Sequence, residues 1–253
     1  VARIIAVANQ KGGVGKTTTA VNLSACMAML GKRILLADVD PQANATSGVG
    51  VRIEPGEPTV YECFFGGEDP ASCLIKTRVP KLHLLPSHHR LVGAEVELVS
   101  EPDREVRLSR VLRPLRTSYD YIILDCPPSL GLITLNSLVA AHSVLVPIQC
   151  EYYALEGLSH LMETIDLVRE GMNPGLAIFG VVLTMYDRRV RLTAQVETEI
   201  RDYFGKKVFK AIIPRNVRLS EAPSFGQPIV MYDILSKGAE SYMALAREVV
   251  ERG

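Results

Sequence analysis

Tryptophan is absent from the 253 residues, and cysteine is sparse. The five cysteines, Cys26, Cys63, Cys73, Cys126 and Cys150, are odd in number and form no C-x-x-C pair. That excludes a disulfide framework or a structural zinc site as the organising device and leaves reduced, mostly buried thiols. Long apolar runs are missing as well. None approaches the roughly 18 residues of a membrane span, and the opening RIIAVANQ lacks the charged, apolar, small-residue order of a secretory signal. A cytoplasmic protein with no membrane partner is expected. There is no charge excess either: 28 basic residues balance 28 acidic ones, which argues against a wholly basic nucleic-acid coat protein. With 47% hydrophobic and 22% charged residues the composition is that of a globular chain, and the length favours one domain over 1–253.

The balance is not uniform. Residues 186–218 hold nine Lys/Arg against four Asp/Glu, so the rest of the chain is net acidic. Short, nearly continuous apolar runs alternate with amphipathic stretches. Strands are expected at 3–8, 33–39, 81–86, 119–126, 143–149, 177–185 and 208–214, and helices at 17–30, 103–116, 131–141, 154–170, 191–204 and 237–251. Strands so uniformly apolar suit burial on both faces, hence an α/β fold with a mostly parallel twisted sheet flanked by helices. Residues 51–80, with four prolines and three glycines, read as a loop-like excursion. In such sheets the loops after the strands gather at one edge, where ligands bind. Every motif below follows a strand.

After the first strand comes NQKGGVGKTTT, residues 9–19. Gly12, Gly13 and Gly15 let the backbone turn tightly and aim several N–H groups into one concavity, while a helix beginning near Lys16 presents its positive end there. An anion is expected in that cradle, formed by Gly12, Gly13, Val14, Gly15, Lys16, Thr17 and Thr18. Lys16 would reach the β- and γ-phosphates of a nucleotide and the Thr17 hydroxyl a bridging Mg²⁺. Two carboxylates, Asp38 and Asp40, end RILLADVD and share a face while the strand lasts, with Asp40 nearer the site. Asp38 reads either as metal-proximal or as a structural loop cap. Gln42, Asn44 and Thr46 add polar groups to the same loop. The run YDYIILDC ends in Asp125, placed to hold Mg²⁺ directly or through water. Cys126 beside it raises an iron–sulfur alternative, but the spacing to Cys150 lends it no support and a buried thiol is the simpler reading.

K-G-G-V-G-K-T lacks the first glycine of the usual phosphate loop and has Gln10 and Lys11 in that stretch. It resembles the deviant Walker A motif of the ParA/MinD family of dimerising P-loop ATPases. DCPPSLGLITLNSL, PIQCEYYALEGLS and IPRNVRLSEAPSFGQPI are similar to the ParA/Soj chromosome-partitioning branch, over essentially the whole chain. The resemblance implies that Lys11 reaches across a homodimer to phosphate in the partner's site, that Asp40 is needed to position the attacking water, and that Pro214 and Asn216 pack on adenine. It implies nonspecific double-stranded DNA contacts through Arg189 and Arg218, both inside the basic stretch. A ParB-type partner would stimulate slow intrinsic hydrolysis, placing the protein on the nucleoid in chromosome or plasmid segregation. The ending ALAREVVERG lacks a bulky aromatic anchor and suits a core-packed helix better than the membrane-lying tail of MinD-type relatives. Two more readings compete: an ATP-using ligase on the same scaffold, and a scaffold that binds ATP without turnover. Lys11 and IPRNVRLSEAPS oppose the first, and Asp40 opposes the second.

Overall fold

The computed structural model describes residues 1–151 and 154–253. Eight strands, β1 (Arg3–Val7), β2 (Ile34–Asp38), β3 (Ile75–Lys76), β4 (Leu82–Leu85), β5 (Tyr121–Asp125), β6 (Ser143–Gln149), β7 (Ala177–Tyr186) and β8 (Val208–Pro214), make one sheet in the order β3-β4-β2-β5-β1-β6-β7-β8. All neighbours are parallel except β3 and β4, so the expected α/β architecture is what the chain adopts. The helices are α1 (Lys16–Met29), α2 (Asn44–Gly48), α3 (Val60–Phe64), α4 (Leu91–Glu97), α5 (Arg107–Leu112), α6 (Leu132–Ala140), α7 (Ala154–Gly171), α8 (Arg191–Phe204), α9 (Val217–Glu221), α10 (Ile229–Tyr232) and α11 (Lys237–Arg252).

Alternation along the strands divides the core between two faces. In β1, Ile4 and Ala6 pack in one cluster with Leu108 of α5, Ile133 of α6, Leu161 of α7 and Val196 of α8. Ile5 and Val7 pack in the other with Leu23 and Met27 of α1 and Tyr242, Leu245 and Val249 of α11. Successive residues of a strand point to opposite faces, so each needs a helix layer to bury it. Helix α11 thus lies in the core, with Tyr242 bonded to Thr19 of α1 at 3.2 Å, as the reading of ALAREVVERG expected. Among the described residues no helix is long and apolar enough to cross a membrane.

Two expectations need correction. The excursion at 51–80 is not all loop: it contains α3 and the antiparallel edge strand β3. Helix α3 starts at a capping box in which the Thr59 hydroxyl accepts from the Tyr61 N–H and the Glu62 carboxylate accepts from the Thr59 N–H. That signature, T-V-Y-E, stands in the sequence but is obscured by the surrounding prolines. The helix expected at 103–116 shrinks to α5 plus a 3-10 turn, Arg113–Leu115. Asp103 turns the chain at φ 54, delaying the start, and Pro114 denies the α-helix its next N–H. All five cysteines are buried and free, with Cys63 and Cys73 in contact at 3.3 Å.

One close approach matters for the site edge. Gly50, just beyond α2, lies against Gly226, beyond α9: a Cβ on Gly226 would stand 2.8 Å from the Gly50 Cα, and Gly226 has φ +61. The carboxylate-bearing loop and the IPRNVRLSEAPS segment are thus held together by two residues that admit no side chain. Gly226→Ala is expected to cost about 1–3 kcal/mol from overpacking and backbone strain. Chemical denaturation checks it, and a free energy within 0.5 kcal/mol or so of the parent would mean that the contact yields easily.

Candidate functional site

The sheet's central strand delivers the phosphate loop. Register places Val7 of β1 opposite Asp125 of β5, and Asp125 opposite Asp38 of β2, so three strand ends meet at one edge. Gly13 (φ 73) and Gly15 (φ 86) take left-handed conformations, which explains their identity. Gly12 is not among the positive-φ glycines, and a Cβ there would meet nothing within 4 Å. Its absence of a side chain leaves room rather than permitting a turn. Gly15 is the N-cap of α1 and offers no side-chain cap, and the first turn carries no acidic residue. The first N–H groups and the positive end of a 14-residue helix are therefore left without a side-chain cap or a first-turn carboxylate. Asn9 clamps the entrance: its amide donates to the Pro147 carbonyl at 2.7 Å while its Oδ1 accepts from the Lys11 N–H at 3.0 Å. The Thr184 hydroxyl on β7 donates to the Val14 carbonyl at 2.8 Å, fixing the loop's crown.

Lys16 is only 7% exposed, and its ammonium donates to the Lys11 carbonyl at 3.0 Å. Burial lowers its pKa, with Asp125 the largest opposing influence and Asp40 another. Asp125 is fully buried, and neither carboxylate oxygen is met by a hydrogen bond of good geometry, although the Thr17 hydroxyl lies close enough to favour its ionised form. Burial and then the neighbouring Asp38 push its pKa up, while Thr17 and Lys16 favour the ionised form. A buried carboxylate so poorly met is costly unless something else binds it. With the Thr17 hydroxyl beside it, the donor set suits a hard divalent cation that takes its remaining ligands from phosphate and water. Among the described residues there is no group of three or more His, Cys, Asp or Glu placed to hold a metal by themselves.

Strand β2 ends at Asp38, so Asp40 lies beyond it and the two carboxylates part. Asp38 turns inward and holds the loop, accepting from the Thr46 N–H and hydroxyl, both at 2.7 Å, and from the Asp40 N–H at 3.1 Å. Burial raises its pKa, against those hydrogen bonds. It supports the loop, as one sequence reading expected, and stands opposite Asp125 in the strand register. Asp40 lines the cleft; its Oδ1 accepts from the Gln42 N–H at 2.9 Å and its carbonyl from the Ser87 hydroxyl at 2.8 Å. Ser87 also donates its N–H to Thr46 at 3.0 Å. Nothing in the sequence flagged Ser87, because it comes 47 residues after Asp40.

Two clefts of about 330 Å³ each meet over the loop, sharing Gly15, Thr18 and Met185. The first holds Gly12, Gly13, Lys16, Thr17, Asp40, Gln42 and Asn44. The second is floored by Pro214 and Asn216. Their size and composition suit a phosphate end and an adjoining ring. The Asn216 Oδ1 accepts from the Leu219 N–H at 3.3 Å as the N-cap of α9, leaving its NH₂ for a ligand. Met185, in the left-handed region at φ 47, lies where the clefts join; the sequence offered no sign of its role. Cys126 and Cys150 are buried thiols, each pushed up to about 12 by burial.

The basic stretch 186–218 is not one surface. Arg188, Arg189, Arg191, Arg215 and Arg218 follow the C-terminal ends of β7 and β8, at the site edge. Lys206 and Lys207 precede β8 and lie at the opposite end of the sheet. A larger concavity of about 790 Å³, beside the second cleft, is lined by Arg188, Arg189, Arg215 and Lys237. Arg189 and Arg218 are both exposed, and each is paired: Arg189 with Asp187 at 2.7 Å, Arg218 with Glu221 at 2.9 Å and Asp233 at 3.5 Å. Lys11 is paired too, with Glu151 of its own protomer at 2.8 Å.

A family model described as an AAA domain matches residues 2–178. The chromosome partitioning protein ParA of Myxococcus xanthus is 57% identical over 252 residues, 100% of this chain and 89% of that protein. The sporulation initiation inhibitor protein Soj of Bacillus subtilis is 55% identical over 251 residues, 99% of each. Among solved structures, cobyrinic acid a,c-diamide synthase of Mycobacterium smegmatis, with bound ATP analogue and magnesium, superimposes with a TM-score of 0.86 at 37% identity, covering 99% of this chain and 95% of that one.

Proposed function

The chain belongs to the ParA/Soj family of chromosome-partitioning P-loop ATPases, and on that premise we propose that it binds MgATP, closes into a two-fold dimer around two nucleotides, coats DNA without sequence preference and leaves it after hydrolysis. The observation that carries this reading is the fully buried Asp125 carboxylate, met by no hydrogen bond of good geometry and stabilised in its ionised form by Thr17 and Lys16, beside a helix N-terminus that has no side-chain cap. Gly12 to Thr18 cradle the phosphates. Thr17 and Asp125 would hold Mg²⁺, which when bound would neutralise charge on the phosphate oxygens. Lys16 draws off charge as the terminal phosphoryl leaves, and Asp40 orients the attacking water. Lys11, delivered from the partner subunit, adds a second cation as an arginine finger does. Pro214 and Asn216 bracket the adenine. A ParB-type partner accelerates an otherwise slow turnover, in segregation of a chromosome or plasmid. The relative solved with an ATP analogue as a diamide synthase raises the ligase alternative; the Lys11-bearing loop and the Arg218 segment favour partition instead.

DNA contact falls to the site-edge arginines. Arg189 and Arg218 already sit against exposed carboxylates, and DNA phosphates must displace those partners. Binding is then electrostatic and steeply salt-dependent, and two subunits double a patch that one alone presents weakly. Replacing Arg189 and Arg218 together by alanine is expected to spare ATP-dependent dimerisation, weaken DNA binding and flatten the plot of log affinity against log salt by roughly 0.9 for each DNA phosphate no longer neutralised. Unchanged affinity and slope would rule both residues out.

The reading as a whole is tested by measuring DNA affinity without nucleotide, with ADP, with ATP, and with ATP plus a ParB-type peptide. Tight binding is expected with ATP alone and release on adding the peptide. Equal binding in all four states would overturn it.

A further inference from the structure

Lys11 carries the proposed trans function, yet its ammonium is committed within its own protomer. Its Nζ donates to the Glu151 Oε2 at 2.8 Å, and Glu151 is itself oriented: the Gln149 side-chain amide donates to its Oε1, and its N–H donates to the Gln149 carbonyl at 2.8 Å. Gln149 ends β6, the strand that Asn9 ties to the phosphate loop through the Pro147 carbonyl. Both partners of the ion pair thus hang from the same two neighbouring strands, β1 and β6. The pair is about half open to water, with side-chain exposures of 33% and 48%. It is strong enough to set where the ammonium rests and weak enough to be broken by a better anion.

Resting on the reading of Lys11 as the group that crosses the dimer, we propose that Glu151 is a positioning residue that parks Lys11 in cis and so restrains dimer closure until nucleotide phosphate in the partner's site competes for it. An ammonium cannot be withdrawn to a carboxylate of its own subunit and inserted among the partner's phosphates at once. Each protomer must break one Lys11–Glu151 pair as the dimer forms. Lys16 adds a link to nucleotide: its ammonium rests on the Lys11 carbonyl, and phosphate that draws Lys16 away removes one of the bonds fixing the Lys11 backbone.

Glu151→Gln keeps the size and hydrogen-bonding capacity of the side chain and removes the charge. With Mg²⁺ and a nonhydrolysable ATP analogue, sedimentation equilibrium should show the Glu151→Gln protein dimerising about 2- to 30-fold more tightly than wild type, the range that two exposed ion pairs span. Glu151→Asp, which keeps the charge on a shorter arm, should return towards wild type. Melting temperature should stay the same across all three. A merely structural Glu151 would move the melting temperature and not respond to restored charge. If wild type dimerises and Glu151→Gln does so no more tightly, or less, the parking role is overturned while the trans role of Lys11 stands. If neither protein dimerises, the dimer reading falls and the parking role with it.

Discussion

Lys16→Ala is expected to lower ATP hydrolysis by about 10²–10³-fold or more and to abolish nucleotide-dependent dimerisation. The size follows from what one preorganised cation aimed at a phosphoryl group contributes in a site shielded from water. Lys16 is nearly buried, and burial works against its charge, a cost that Asp125 and Asp40 offset in part and that an anionic ligand would offset further. Its removal also leaves the neighbouring Asp125 and Asp40 carboxylates without the cation they act on. The phosphates of ATP would enter a locally negative site. Isothermal titration with MgATP and sedimentation with and without nucleotide check the expectation, and a circular dichroism melt separates it from misfolding. An unchanged sedimentation profile with ATP in the wild type and the variant alike would sink the phosphate assignment.

Asp40→Ala is expected to do the reverse to the cycle: turnover falls about 10²–10⁴-fold while ATP, the dimer and DNA are retained. The backbone around Asp40 is held by groups that the substitution leaves in place. Its N–H donates to Asp38, and its carbonyl accepts from Ser87. The side chain gives one oxygen to the Gln42 N–H, leaving the other for water. Alanine therefore removes the water-orienting carboxylate without freeing the loop. Single-turnover hydrolysis and nucleotide release together read this out. Normal turnover would refute the assignment, and weakened ATP affinity would show that Asp40 acts in binding.

Much of this site was legible because its parts are contiguous in the chain. A glycine loop after an apolar strand, a lysine and a threonine opening the next helix, and an aspartate ending a later strand each announce their chemistry locally. The apolar runs also marked every parallel strand, since burial on both faces leaves little room for polar residues. What escaped was set by long-range contact or by competing local signals. Thr59 and Glu62 start a helix inside a proline-rich stretch, and Ser87 reaches Asp40 only because β4 lies beside β2.

The basic stretch illustrates the limit most plainly. Counted along the chain, its nine cations look like one patch. A strand carries charge from one end of the sheet to the other, so Lys206 and Lys207 end up far from the edge where Arg189 and Arg218 stand. Composition cannot distinguish the two.

The sequence by itself determined the family, the sheet and where the candidate phosphate loop lies, because hydrophobic periodicity and short-range backbone geometry are local properties. Tertiary structure alone decided how those residues are held. It buried Asp125 completely, turned Asp38 into the support of the Asp40 loop, and paired Lys11 with Glu151 across 140 residues of chain. Charges act through space, and only the packing of β1 between β5 and β6 brings these groups within reach of one another.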